Sequence, residues 1–182
     1  MYQPIHIVAL PVDLVAFATR APLENVAKYW PLVYERLRNY GINQKLVQIG
    51  AVATIGTEVY SFKPVEEIAS GEAYEGRLDL GNTNPGDGAR YKGRGFIQLT
   101  GRSNYRVAST ALGIDLITSP ELALQGNVAA RIFAWYFSNR GVDKPCLVEN
   151  WRRVRKLVNG GYNGWERFIG IIERLNNANS NF

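Results

Sequence analysis

Between Gly71 and Gly95 the chain places seven glycines in twenty-five residues, and this segment constrains the fold more than any other. Glycine costs backbone entropy inside a helix or strand and offers no side chain to pack, so no long regular element fits here. Within it, "GNTNPGDG" is the densest turn signal. Yet "YEGRLDLGNTNPGDGARYKGRGF" keeps an aromatic or aliphatic anchor every few residues, which a disordered segment lacks. An ordered irregular loop of this length inside a compact domain is usually functional. Short strands alone are compatible with it, and Phe96-Ile-Gln-Leu-Thr is the best candidate.

On both sides the apolar spacing is helical. The segment from Pro22 reads as a helix interrupted near Pro31, followed by a short helix from Val33 to Asn39 that Gly41 ends. Leu46, Ile49, Ala53 and Ile55 predict a central buried helix from Gln44 to about Tyr60. Further amphipathic helices are expected over Val107 to Leu112, Gly126 to Asn139, Val148 to Val158 and Gly164 to Asn177. No linker composition and no internal repeat divides the chain, so residues 1–182 are expected to form one domain.

A single cysteine, Cys146, excludes an intramolecular disulfide and reads as a small, partly buried thiol. With His6 as the only histidine and outside every motif, neither a zinc centre nor a His-based nucleophile is supported, and no metal or cofactor is expected. The opening apolar run has no basic residue before it and is broken by Pro11 and Asp13, so it reads as neither secretion signal nor membrane span. Cytosolic synthesis is the expectation. A formal charge of +5 and a pI near 9.4 favour polyanionic partners without choosing among nucleic acid, wall polymer and acidic lipid.

Acid–base chemistry centres on Glu58, at the end of the predicted central helix in "ATIGTEVYSFKPVEE". Apolar neighbours there would disfavour the charged carboxylate and raise its pKa, as a general acid requires. Pro64 should stop the helix near Phe62 and let Glu67 fold back toward Glu58, with Glu66 pointing elsewhere and Glu75 a further candidate. Two carboxyls roughly 6.5–9.5 Å apart would leave room for the water of an inverting glycosidase. Glu58 reads equally as a helix-end residue paired with a nearby arginine, and these residues alone leave both readings open.

"TEVYSFKPVEE", "YEGRLDLGNTNPGDGARYKGRGFIQLTGRSNY" and "VRKLVNGGYNGWERF", in that order, resemble glycoside hydrolase family 19, the chitinase-like family. The likeness runs over about residues 20 to 178 and is greatest to the wall-degrading domains of phage endolysins, particularly of phages that infect actinobacteria. It implies that Glu58 protonates the glycosidic oxygen and that Glu67, or alternatively Glu75, activates the attacking water. It further implies that Gln98 and Thr100 line the cleft, that Asn104, Tyr105 and Asn159 hydrogen-bond sugar, and that Tyr91 and Arg94 lie on the substrate side. Plant members carry His where this chain has Thr57, are longer, and use disulfides that this chain cannot form.

One competing reading is nucleic-acid binding, because "KGRGFIQL" mimics the RNA-recognition octapeptide. Arg94 and Leu99 occupy two of its aromatic positions, so it fails where bases would stack. Gly93 and Gly95 fit close backbone approaches in a cleft instead, with Arg94 bracing a carboxylate, while "WRRVRK" reads as a helix face and at most a docking patch for anionic wall polymer.

The resulting expectation is a mainly helical, lysozyme-like α+β fold with a small irregular strand region, acting as a monomeric inverting β-1,4-glycosidase. Its partners would be peptidoglycan glycan strands or, alternatively, chitin oligomers; no nucleic acid is expected. The resemblance implies action at the cell wall after release through a membrane pore. A binding module that kept the cleft and lost catalysis is the remaining alternative.

Overall fold

The computed structural model describes residues 7–179, so His6 lies outside the described residues. In chain order the helices are α1 (Val12–Thr19), α2 (Leu23–Asn39), α3 (Lys45–Glu58), α4 (Asp87–Arg90), α5 (Arg102–Leu112), α6 (Gly126–Asn139), α7 (Asp143–Leu147), α8 (Trp151–Asn159) and α9 (Trp165–Asn179). Short 3-10 helices lie at Glu72–Tyr74, Leu78–Leu80 and Pro120–Leu124. The fold is mainly helical, as expected. None of the helices among the described residues is long and apolar enough to cross a membrane.

α3 is the axis of the molecule. Every residue from Val47 to Thr57 is buried, the signature of a helix that is apolar all round and belongs in an interior. It packs against α1, α7, α8 and α9, while α2 packs against α6. The helix stops at Glu58, earlier than Pro64 alone predicts, because Val59 turns extended and Phe62 enters a tight turn at φ 54 with its side chain buried.

α2 runs unbroken through Pro31, contrary to the expected interruption. An interior proline costs roughly 3 kcal/mol. Against that, Val26, Tyr29, Trp30, Val33 and Leu37 are all buried, so one straight apolar face spans the proline while Pro31 itself is exposed. Burying side chains of that size contributes roughly 1.5–3 kcal/mol each, which decides the contest.

β1 (Val65–Glu66) pairs antiparallel with β2 (Arg94–Gly95), in the register Val65 with Gly95 and Glu66 with Arg94. The expected strand from Phe96 to Thr100 is instead a turn. Arg94 N–H donates to the Leu99 carbonyl at 3.2 Å, Leu99 N–H returns a bond to Arg94 at 2.9 Å, and Gln98 sits at φ 52. A straight strand would put Phe96 and Gln98 on one face. The turn separates them, sending Phe96 into the main core beside Tyr29 and Phe62 and leaving Gln98 half-buried, while Leu99 joins a second cluster with Tyr91 and Tyr105.

The glycine-rich loop is ordered by polar staples. Asp87 accepts the backbone N–H groups of Thr83 and Asn84 at 3.1 and 2.9 Å and pairs with Arg102 Nη1 at 3.0 Å. Asn82 donates to the Tyr74 carbonyl at 2.8 Å and accepts Arg102 N–H at 2.8 Å. Cys146 is fully buried rather than partly so, and desolvation, with Asp143 adding to it, pushes its thiol up to about 12. Such a thiol is inert.

Candidate active site

Residues from five segments line a cleft of about 490 Å3, the first of them Leu80 from the 3-10 helix Leu78–Leu80. Gln98 and Thr100 come from the turn after β2, Asn104 from α5, Trp135, Tyr136 and Arg140 from α6 and its C-terminus, and Val158 and Asn159 from the end of α8. The Gln98 amide donates to the carbonyls of Val65 and Gly95 at 3.1 and 3.0 Å, which ties the turn to the small sheet. Thr100 donates to the Gln98 carbonyl at 2.9 Å, and the Asn104 amide to the Thr100 carbonyl at 2.7 Å. Asn159 Oδ1 is buried and accepts no hydrogen bond. An unpartnered buried acceptor costs roughly 1–3 kcal/mol, so its natural complement is a donor brought into the cleft.

Glu67 does not line the cleft but converges with Gln98 and Thr100 around Gly93. Its Oε1 accepts the Tyr74 hydroxyl at 2.9 Å and its Oε2 accepts the Gly93 N–H at 3.2 Å. A Cβ at position 93 would lie 2.8 Å from Gln98 Oε1, 3.2 Å from Glu67 Oε2 and 3.3 Å from Thr100 Oγ1. Glycine there lets three oxygen-bearing side chains converge, the close approach expected of Gly93. Glu67 also borders a neighbouring depression of about 430 Å3 formed with Ala69, Ser70, Gly71, Glu72, Ala73 and Tyr74. Burial, and then the bond to Glu67, raise the Tyr74 hydroxyl above its ordinary value, so it stays a proton donor.

Glu66, the preceding residue and the last of β1, points the other way. It pairs with Lys92 at 2.9 Å and Arg94 at 2.7 Å. The bond from Lys92 lowers its pKa, against desolvation and with Arg94 adding to the fall.

Glu58, the last residue of α3, is not among the residues that line the cleft. Its carboxylate accepts Arg155 Nη1, and Arg155 Nε is anchored on the Asn163 carbonyl at 2.8 Å. Gly164, at φ 73, holds this corner closed: a Cβ there would lie 2.8 Å from Thr57 Cγ2 and 3.4 Å from Arg155 Nη2. The setting is an ion pair with an arginine, one of the two readings that the residues left open, and not a purely apolar pocket. It is not sealed, since the Glu58 side chain keeps 16% of its exposure. Tyr136, on the cleft wall, donates its hydroxyl to the Val158 carbonyl at 3.1 Å; burial raises that hydroxyl, Arg140 opposes this, and the Glu58 charge adds to the rise.

Three of the expected substrate-side residues are structural. Tyr91 is buried and donates its hydroxyl to the Ile117 carbonyl at 3.1 Å. Tyr105 is also buried, donating to the Lys92 carbonyl at 3.0 Å, and burial pushes its hydroxyl up to about 12. Arg94 reaches Glu66, the Arg90 carbonyl and Tyr105, so it braces a carboxylate as expected but does not line the cleft. Glu75 accepts the backbone N–H groups of Gly86 and Gly88 at 2.6 and 2.8 Å, which makes it a staple of the loop.

Arg155, Tyr74, Tyr136 and Arg140 escaped the sequence reading. For Arg155 a signal existed: Trp151, Val154, Arg155 and Val158 share one helical face, so the basic run contains an arginine on the apolar side. Arg152 and Arg153 are exposed, as a solvated face predicts.

The sequence model described as Chitinase class I, of glycosyl hydrolase family 19, matches residues 49–153, more than half of the chain and including Glu58, Glu67, Gln98 and Thr100. The chain belongs to glycoside hydrolase family 19.

Among curated members of family 19, a domain-containing protein of Haemophilus influenzae is 34% identical over 116 residues, covering 64% of this chain and 55% of its own. An endochitinase of Arabidopsis thaliana is 31% identical over 126 residues, covering 69% and 43%. The match thus spans about half the length of these relatives. Among solved structures, chitinase C from Streptomyces griseus superposes with a TM-score of 0.64 at 18% identity, covering 91% of this chain and 76% of that one. A bacterial family 19 chitinase gives 0.69 at 16% identity, covering 91% and 94%. At these identities the structures establish the family 19 fold.

Proposed function

We propose that this family 19 domain hydrolyses β-1,4 bonds of N-acetylhexosamine polymers, peptidoglycan first among them, by a single inverting displacement. The observation that carries the reading is the cleft wall of Gln98, Thr100, Asn104 and the orphaned Asn159 Oδ1. Amide and hydroxyl groups of that kind suit the N-acetyl and hydroxyl groups of an amino sugar.

In this reading Glu58, once protonated from solvent, gives its proton to the glycosidic oxygen as the bond to the anomeric carbon breaks. Arg155 stays anchored on the Asn163 carbonyl. Glu67, oriented by Tyr74 and Gly93, takes a proton from a water that attacks the anomeric carbon from the opposite face, so configuration inverts. Glu67 ends one proton richer and Glu58 one poorer, and exchange with solvent resets both.

Peptidoglycan is favoured by the formal charge of +5, which suits an anionic wall. Chitin is the second reading, favoured by the endochitinases among the relatives. Incubation with purified peptidoglycan and with chitin oligomers, followed by identification of the new reducing ends and their anomers by proton NMR, tests both. α-Anomeric product from peptidoglycan supports the proposal; β-anomeric product contradicts inversion. Cleavage confined to chitin transfers the mechanism to the second reading, and binding without cleavage reduces the domain to a glycan-binding module.

A further inference from the structure

We propose that Arg140 makes this cleft select a saccharide bearing a carboxylate arm over a neutral one, an inference that rests on reading the cleft as the glycan site. Among the described lining residues of the cleft, Arg140 is the single one with a formal charge. The rest of its polar wall is amide and hydroxyl. Those groups serve the N-acetyl and hydroxyl groups that a plain N-acetylglucosamine chain and a wall glycan share, so they cannot tell the two polymers apart.

Arg140 can. Its guanidinium lies 5.0 Å over the Tyr136 ring and donates Nη1 to the Leu157 carbonyl at 3.2 Å. No ion pair to Arg140 is formed among the described residues, and the nearby acid, Glu58, is taken by Arg155. A guanidinium carries five N–H donors in a planar fork suited to a carboxylate. Here one of them holds Leu157 and the ring of Tyr136 steadies the plane, leaving an exposed, partly pre-oriented fork on the cleft wall. A wall glycan carries a lactyl ether on every second sugar. That arm presents a carboxylate directly when free, or through the peptide attached to it.

The test is titration calorimetry on the Glu58→Gln protein, so that ligands survive. Three tetrasaccharides are compared: neutral chitin tetramer, a wall fragment with its peptides, and the same fragment after an amidase has freed its lactyl carboxylates. At least one carboxylate-bearing ligand is expected to bind about tenfold tighter than the neutral one, in keeping with a charge-assisted hydrogen bond. Which of the two does so identifies the source of the carboxylate. Adding Arg140→Gln should collapse that ratio to within about twofold, Arg140→Lys, which keeps the charge and loses the fork, should fall between, and added salt should narrow it. Equal binding of all three ligands overturns the assignment, as does an equal loss for neutral and charged ligands, the mark of a residue that only props Leu157 and Tyr136. Absence of binding by every ligand overturns the glycan-cleft reading and this inference with it.

Discussion

Arg155 donates Nη1 to the Glu58 carboxylate, joining two residues 97 positions apart in the chain. The bond fastens the last residue of α3 to the turn that follows α8, because the same guanidinium holds the Asn163 carbonyl. Arg155 is 2% exposed, so its removal strands a charge rather than a surface contact.

Arg155→Met is therefore expected to lower stability by about 2–4 kcal/mol, somewhat below the roughly 3–5 of a fully buried broken pair because solvent reaches Glu58. Arg155→Lys keeps the charge and loses the fork, and should fall between. Urea midpoints at unchanged slope check both. A shift below about 0.5 kcal/mol for the methionine variant would show that the pair does not hold this corner.

Gly93→Ala probes the surroundings of Glu67. The added methyl would press on Gln98 Oε1 at 2.8 Å and on Glu67 and Thr100 just beyond. Turnover is expected to fall at least tenfold, since displacements of about 1 Å at a reacting group can cost as much as a hundredfold. Unfolding should move much less than turnover. Comparison of kcat with the urea midpoint separates the two effects.

Pro31 gives a prediction of opposite sign. Its ring is exposed and α2 already continues through it, so Pro31→Ala restores a missing N–H without disturbing the buried face. Stability should rise by about 1–3 kcal/mol. An unchanged or lower melting temperature would show that the proline is not strained.

Tyr105 sets an alkaline limit. Desolvation lifts its hydroxyl from 10.0 to about 12 in the folded chain, opposed by Arg94. A folded value above the unfolded one means that the stabilisation is complete below pH 10 and is lost as pH rises toward 12. The loss amounts to roughly 2–3 kcal/mol at the high end. Asp87 acts at the acid end: burial raises its pKa, but the Asn84 N–H, Arg102 and the Thr83 N–H outweigh this and leave it lowered. Its contribution is present above the unfolded value and lost as pH falls through the folded one. Tyr105→Phe should flatten the alkaline loss and Asp87→Asn the acid loss, as read from urea midpoints across pH.

Several longer helices were legible because their apolar spacing is local information; α6 begins and ends where the pattern of Val128, Ile132, Phe133 and Trp135 places it, whereas α1 and α7 were not anticipated and α5 begins at Arg102, before the expected Val107. α2 was misread because proline is a local breaker, and its survival depends on burial against α6, which local sequence does not contain. The turn from Phe96 to Leu99 was misread as a strand for a similar reason, since two separate cores claim its apolar residues. Glu58, Glu67, Gln98, Thr100 and Asn159 were identifiable through resemblance. Tyr91 and Tyr105 share that motif yet are buried: a motif carries the residues that shape a cleft along with those that face it.

The most direct measurement is turnover and glycan affinity of Glu58→Gln on one soluble substrate. The amide keeps the shape and cannot give up a proton at neutral pH, so kcat should fall by about a hundredfold or more while affinity stays within a few-fold. Hydrolysis persisting near the parental rate would contradict the assignment of Glu58 as the proton donor.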